Sequence, residues 1–184
     1  FNIVFREVCG PGYVDRTMDF WRWEFEQNPW GHRISVAIAP DGVVAAHYAA
    51  VPVPMATAYG DCIFVQGVDS FTHPSYRQGL KRPGLFVQVA KHCLDGCRER
   101  HESWYGYPVI AAERIGKRFL DYHRVTVVDF LSRLTSAGAL RAPEGLRSAT
   151  VDQASADLDA LFERVAARKQ CLVRRSQRYW NWRY

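Results

Sequence analysis

The chain has 184 residues, of which 48% are hydrophobic and 23% charged, and its formal net charge is +5. This suffices for one sizeable globular domain with an appendage, and the balance excludes disordered, fibrous and disulfide-stapled classes. No apolar run approaches the roughly 18 residues a membrane helix needs, which argues against a membrane partner.

The first residues, Phe1 to Glu7, lack the basic start and long apolar middle of a signal peptide, and with no initiator Met the sequence reads as a fragment or trimmed chain. Cys9, Cys62, Cys93, Cys97 and Cys171 are an odd number without framework spacing, so a reducing cytoplasm is expected. Cys93 and Cys97 beside His92 lack the further ligands of a metal site and read as small buried side chains, so no metal is expected. The basic residues are scattered apart from Arg174, Arg175 and Arg178, which argues against nucleic acid and leaves an anionic cofactor as the partner of the positive charge.

In chain order, Phe5 to Val8 and Met18 to Phe25 read as short helices separated by Cys9-Gly10-Pro11-Gly12. Arg33 to Ala39 and Val43 to Val51 read as strands joined by the turn Pro40-Asp41-Gly42, with Pro52 and Pro54 marking an edge or bend. After the turn Tyr59-Gly60-Asp61 comes a strand over 62–72, then a helix from about Pro83 to Arg100. Ser103 to Tyr107 is a short aromatic strand, Pro108 to Leu120 a helix, and Val125 to Leu131 a β-branched strand. The order α-α-β-β-β-α-β-α-β predicts an α/β domain around a mixed sheet. Leu134 to Ser148 is rich in Ser, Gly, Ala and Pro and reads as a linker, and Asp152 to Lys169 as a further helix.

The central strand, glycine turn and helix point most directly at a ligand. A helix that begins in such a turn presents unbonded backbone N–H groups and the positive end of its dipole, a ready site for phosphate. A second pattern concerns architecture. Phe20-Trp21-Arg22-Trp23-Glu24-Phe25 and Tyr179-Trp180-Asn181-Trp182-Arg183-Tyr184 both carry aromatics at the first, second, fourth and sixth place. Upstream, Phe5-Arg6-Glu7-Val8 resembles Phe162-Glu163-Arg164-Val165, at separations of 15 and 17 residues from the two aromatic segments. The pattern predicts a duplication: a domain over 1–135, a linker over 136–151, and over 152–184 the opening helices of a second copy.

Thr72-His73-Pro74-Ser75-Tyr76-Arg77, followed by Gly84-Leu85-Phe86, resembles the cofactor motif of the GNAT superfamily of acyl-CoA N-acyltransferases. Asn28-Pro29-Trp30-Gly31, the Asp41-Gly42 hairpin and Gly106-Tyr107-Pro108 support the resemblance, which covers about residues 1–135. It implies a mostly antiparallel central sheet flanked by helices, and transfer of an acetyl group from acetyl-CoA to an amine on a small molecule or peptide. It further implies pyrophosphate binding by Arg77, Gly79, Lys81, Arg82, Gly84, Leu85 and Phe86, with the pantetheine arm along the backbone of Phe71 and Thr72. Asp69 or His73 would be the base, and Tyr122 or Tyr107 the acid. Six residues separate Arg77 from Gly84 where the family usually has two, and Phe86 puts bulk where backbone should approach pyrophosphate. The alternative function is therefore a non-catalytic GNAT-like half that supports a second such domain, in the same chain or in an oligomer.

Overall fold

The computed structural model describes residues 1–77, 83–129, 132, 144, 145, 147 and 149–184. Two short helices open the chain: α1 (Asn2–Cys9), and α2 (Met18–Trp21), which widens into a π-helical turn over Arg22–Glu26. Thr17 Oγ1 starts α2 by accepting the Phe20 N–H.

The hairpin of β1 (Arg33–Ile38) and β2 (Val44–Thr57) turns at Gly42, whose φ of 84° suits glycine, while Asp41 Oδ1 accepts the Val43 N–H. Next come β3 (Gly60–Thr72), α3 (Leu85–Glu99), β4 (Ser103–Gly106) and α4 (Ile110–Phe119). Further on are α5 (Asp157–Ala166), β5 (Cys171–Val173) and α6 (Gln177–Arg183). Among the described residues no helix is long and apolar enough to cross a membrane.

The sheet runs β1-β2-β3-β4, with β5 also on β2; β4 is parallel to β3 and the other pairings are antiparallel. β2 continues well past Val51, through Pro52 and Pro54. Both prolines fall between the last β1 partner, Ala50, and the first β5 partner, Met55. The Pro52 carbonyl accepts from the Asn28 side chain and the Pro54 carbonyl from the Arg174 N–H, so the backbone of both prolines faces this gap rather than β3. No ladder bond is lost at either nitrogen, as for proline on an edge strand.

Alternation along β2 divides the core. Ala46 and Tyr48 pack on Val87, Ala90 and Cys93 of α3, whereas Ala49 and Val51 pack on Phe25, Trp21 and Trp182. Cys93 and Cys97 are buried on the α3 side.

Two expectations are corrected. Residues 121–129 form no strand, and Val125 is 96% exposed; a β-branched run supplies propensity, but propensity without burial or pairing makes no strand. Residues 130 and 131 of that segment, and most of the linker at 136–151, lie outside the described residues. The helix expected from Asp152 begins only at Asp157; ahead of it the Ala154 N–H is bound by the Asn181 side chain.

Candidate functional site

The site grows from an irregularity in β3. His47 pairs with Phe71 and Ala49 with Val68, so Asp69 and Ser70 together oppose Tyr48. This is a β-bulge, and Asp69 adopts a φ of 50°, a left-handed conformation that a short polar side chain tolerates best after glycine. The bulge turns the Asp69 carboxylate inward, onto Arg16 from the approach to α2. Arg16 Nη1 also donates to Glu24 Oε2 at 2.9 Å, from the π-turn. Both carboxylates are almost fully buried, with side-chain exposures of 10% for Glu24 and 6% for Asp69. On the other side His47 Nδ1 lies 2.7 Å from the Asp69 carbonyl.

One guanidinium serves two buried carboxylates, so only one of them can ionise cheaply. Burial, reinforced by the Asp69 charge, raises Glu24 to about 7 against the opposing pull of Arg16. Burial also raises Asp69, again against Arg16. Burial pushes His47 down; a neutral imidazole facing a carbonyl places its proton on Nδ1. The arrangement is a pair of buried carboxylates sharing one guanidinium, with Glu24 poised near neutrality. A cleft of about 330 Å³ adjoins it, bounded by Phe1, Ile3, Arg16, Met18 and Trp21.

Beside the bulge the sheet opens. β4 pairs with Phe64–Gly67 and no further, so among the described residues Val68–Thr72 have no neighbour strand on that side. A Cβ on Gly67 would stand 2.7 Å from Trp104 Cζ2, so the indole seals the sheet where the split begins. The first turn of α3 lies beyond Thr72 in the chain, with Gly84 extended at its N-cap. The Gly84 carbonyl takes the N–H groups of Val87 and Gln88, and no side chain caps the helix among the described residues. The amides of Leu85 and Phe86 are thus at the start of the helix, where an anion would be held. Arg77 Nε donates to the Thr72 carbonyl and the rest of its exposed guanidinium stays near this edge. Gly79, Lys81 and Arg82 lie outside the described residues.

No protein-family model matches the sequence, and no curated protein matches it. Solved structures do match. A glucosamine-6-phosphate N-acetyltransferase from Arabidopsis thaliana aligns with a TM-score of 0.54 at 14% identity, over 71% of this chain and 88% of its own. An aminoglycoside acetyltransferase from an uncultured soil metagenomic sample, in complex with trehalose, aligns with a TM-score of 0.51 at 11% identity, over 72% and 85%. The chain has the GNAT fold. At such identities the likeness concerns the backbone, and the roles of individual residues rest on the geometry above.

Of the side chains expected from GNAT resemblance, only Asp69 joins the buried cluster. The Phe86 ring does not project toward the helix start; it meets the Tyr48 ring edge-on at 5.4 Å and packs into the core. The expected obstruction is therefore absent, because an apolar ring gains more from the core than from solvent. His73 caps the turn Pro74–Tyr76, its Nδ1 accepting the Ser75 N–H. Tyr122 bonds through its hydroxyl to that of Tyr48, with its ring packed over Gly116 of α4. Among the described residues no contact joins Asp69, His73 and Tyr122 in one constellation.

Arg16, Glu24 and His47 are missing from the sequence reading. One signal was present: Glu24 stands between Trp23 and Phe25 in an aromatic run, where a carboxylate is burdened by burial.

Gly116 is required by contact. Any Cβ there would run into the Tyr122 ring, which is tethered through its hydroxyl to that of Tyr48. Gly116→Ala is expected to destabilise by about 1–3 kcal/mol despite its better helix propensity. Urea unfolding checks this, and a stabilised variant would contradict the packing described.

Proposed function

We propose that the protein is an N-acyltransferase that moves an acetyl group from acetyl-CoA to an amine acceptor, with Glu24 and Asp69 as its acid–base pair. The observation that carries this is the Arg16-clamped pair at the β3 bulge, beside the open edge of Val68–Thr72. The pantetheine arm would lie along the backbone of Phe71 and Thr72. Its pyrophosphate would meet the α3 start at Gly84, Leu85 and Phe86, together with Arg77; Gly79, Lys81 and Arg82 belong to the same proposal by sequence. The acceptor, a small-molecule or peptide amine, would enter by the cleft at Arg16 and Trp21.

A neutral amine nitrogen attacks the thioester carbon, a C–N bond forms and the C–S bond breaks. The amine proton passes to Glu24, with Asp69 accepting a hydrogen bond from the protonated acid. Burial raises Tyr122, so it remains protonated at neutral pH and is our choice to return a proton to the departing thiolate. His73, committed to its turn, is the reserve base.

Acetyl-CoA at 100 times its dissociation constant should stabilise the fold by about 2.7 kcal/mol, raising Tm by roughly 5–10 °C for a chain of this size. Differential scanning fluorimetry with acetyl-CoA, and with adenosine bisphosphate as an anion control, measures it. No shift at millimolar acetyl-CoA would end the catalytic reading and leave a non-catalytic domain that supports another.

A further inference from the structure

The aromatic repeat makes contact with itself. Trp23 Nε1 donates to the Trp182 carbonyl at 2.7 Å, and Trp182 Nε1 donates to the Trp23 carbonyl at 2.9 Å. The two rings stack at 5.7 Å and 16°. These tryptophans are the same member of the two repeats, 159 residues apart. The equivalence extends to the helix starts: Thr17 accepts the Phe20 N–H as Ser176 accepts the Tyr179 N–H, at the same offset and each following an arginine. A contact in which one residue meets its own counterpart, with each donating to the other, is what a two-fold axis generates. A tail docking at random onto α2 has no reason to produce it.

We infer that α5, β5 and α6 open a second domain of the same fold in this polypeptide, and that the two domains pack about a local two-fold axis between Trp23 and Trp182. The symmetry has a consequence away from the tryptophans. The segment before α6 lies on the first domain's sheet: β5 pairs with Met55–Thr57, and the Arg174 N–H reaches the Pro54 carbonyl at 2.8 Å. The two-fold must send the equivalent segment before α2 onto the second domain's sheet. The counterpart of Arg174 at that offset is Asp15, and Val14 precedes it. Among the described residues the amides of Val14 and Asp15 have no acceptor, and Val14 is 82% exposed. By this symmetry each domain lends one short strand to the other.

Hydrogen–deuterium exchange on the full-length polypeptide tests this without reference to activity. The Asp15 amide should be protected at least tenfold over unstructured amides, comparably to the amide of its counterpart Arg174, which donates to the Pro54 carbonyl. Trp182→Phe keeps an aromatic ring but removes one donor and part of the stack; it should lower protection in both segments together. Free exchange at Asp15 in the wild type, whatever the variant does, overturns the proposal. So does a Trp182→Phe effect confined to β5, which would mark a one-sided tail. Protection that emerges only as concentration rises would assign the surface to a second copy of the chain, and would equally overturn it.

Discussion

Glu24→Gln should lower kcat for acetyl transfer by about 10²–10⁴-fold while leaving acetyl-CoA binding intact, because it removes the base and keeps the shape. The wild-type kcat/KM should rise with pH and level off above about 7, the value to which burial and the Asp69 charge bring Glu24. In the variant this rise should vanish. Arg16→Gln should move the rise to higher pH, since Arg16 is the cation that favours ionisation of both carboxylates. Stopped-time thiol release across pH 5.5–9 distinguishes these outcomes. A flat wild-type profile through 7, or a variant as active as wild type, would remove Glu24 from the mechanism.

The same group links pH to stability, with a definite sign. Glu24 titrates at about 7 in the folded chain against 4.5 as its ordinary value. The folded state therefore holds a proton that the unfolded chain has released, and stability falls as pH rises from about 4.5 to 7. Above 7 both states are ionised and the loss is complete. Asp69, also raised, acts in the same direction. Comparing wild type with Glu24→Gln in urea at pH 5 and pH 8 isolates the effect, because carboxylates held low elsewhere, such as Glu113 beside Lys117 and Arg124, are common to both.

The contrast between Asp69 and its partners shows what a linear pattern carries. Asp69 is reached through the resemblance, as the carboxylate on the strand ahead of the glycine turn, and that strand and turn are local features. Its partner Arg16 is 53 residues away in sequence, and neither hydrophobic period nor turn chemistry reports that distance. The bulge was equally hidden, since it exists only in the register between β2 and β3. Pro52 and Pro54 do mark a local edge, but the strand runs on through them: proline ends a strand only where its nitrogen would face a neighbour, and here it faces a gap. Val125 to Val128 err in the opposite sense, with high strand propensity but no strand pairing among the described residues. The aromatic repeat was visible as a period, but the mutual grip of Trp23 and Trp182 belongs to three dimensions.

Glu102→Ala should be strongly destabilising, by about 3–5 kcal/mol. Glu102 lies just before β4 with a side-chain exposure of 5%. Arg33 of β1 grips both of its oxygens, Nε lying 3.1 Å from Oε1 and 2.8 Å from Oε2. Arg100, after α3, adds a bond of 3.1 Å. Burial alone would raise this carboxyl, but the two arginines outweigh it and hold it low. Its contribution is therefore present above the ordinary carboxylate range and lost as acid protonates it. Truncation leaves Arg33, itself 15% exposed, as an uncompensated buried cation. Replacing both partners, as in Arg33→Met with Glu102→Leu, should recover most of the loss, since an apolar pair of similar volume carries no such charge. Urea midpoints with unchanged m-values measure all of these, and a loss below about 1 kcal/mol for Glu102→Ala would refute the assignment. The consequence reaches the site. Glu102 fixes where β4 begins, the register Phe64 to Ser103 follows, and with it the end of the ladder at Gly67. Loosening that anchor should weaken the acetyl-CoA thermal shift as well as the fold, because the open edge of β3 is defined by where β4 stops.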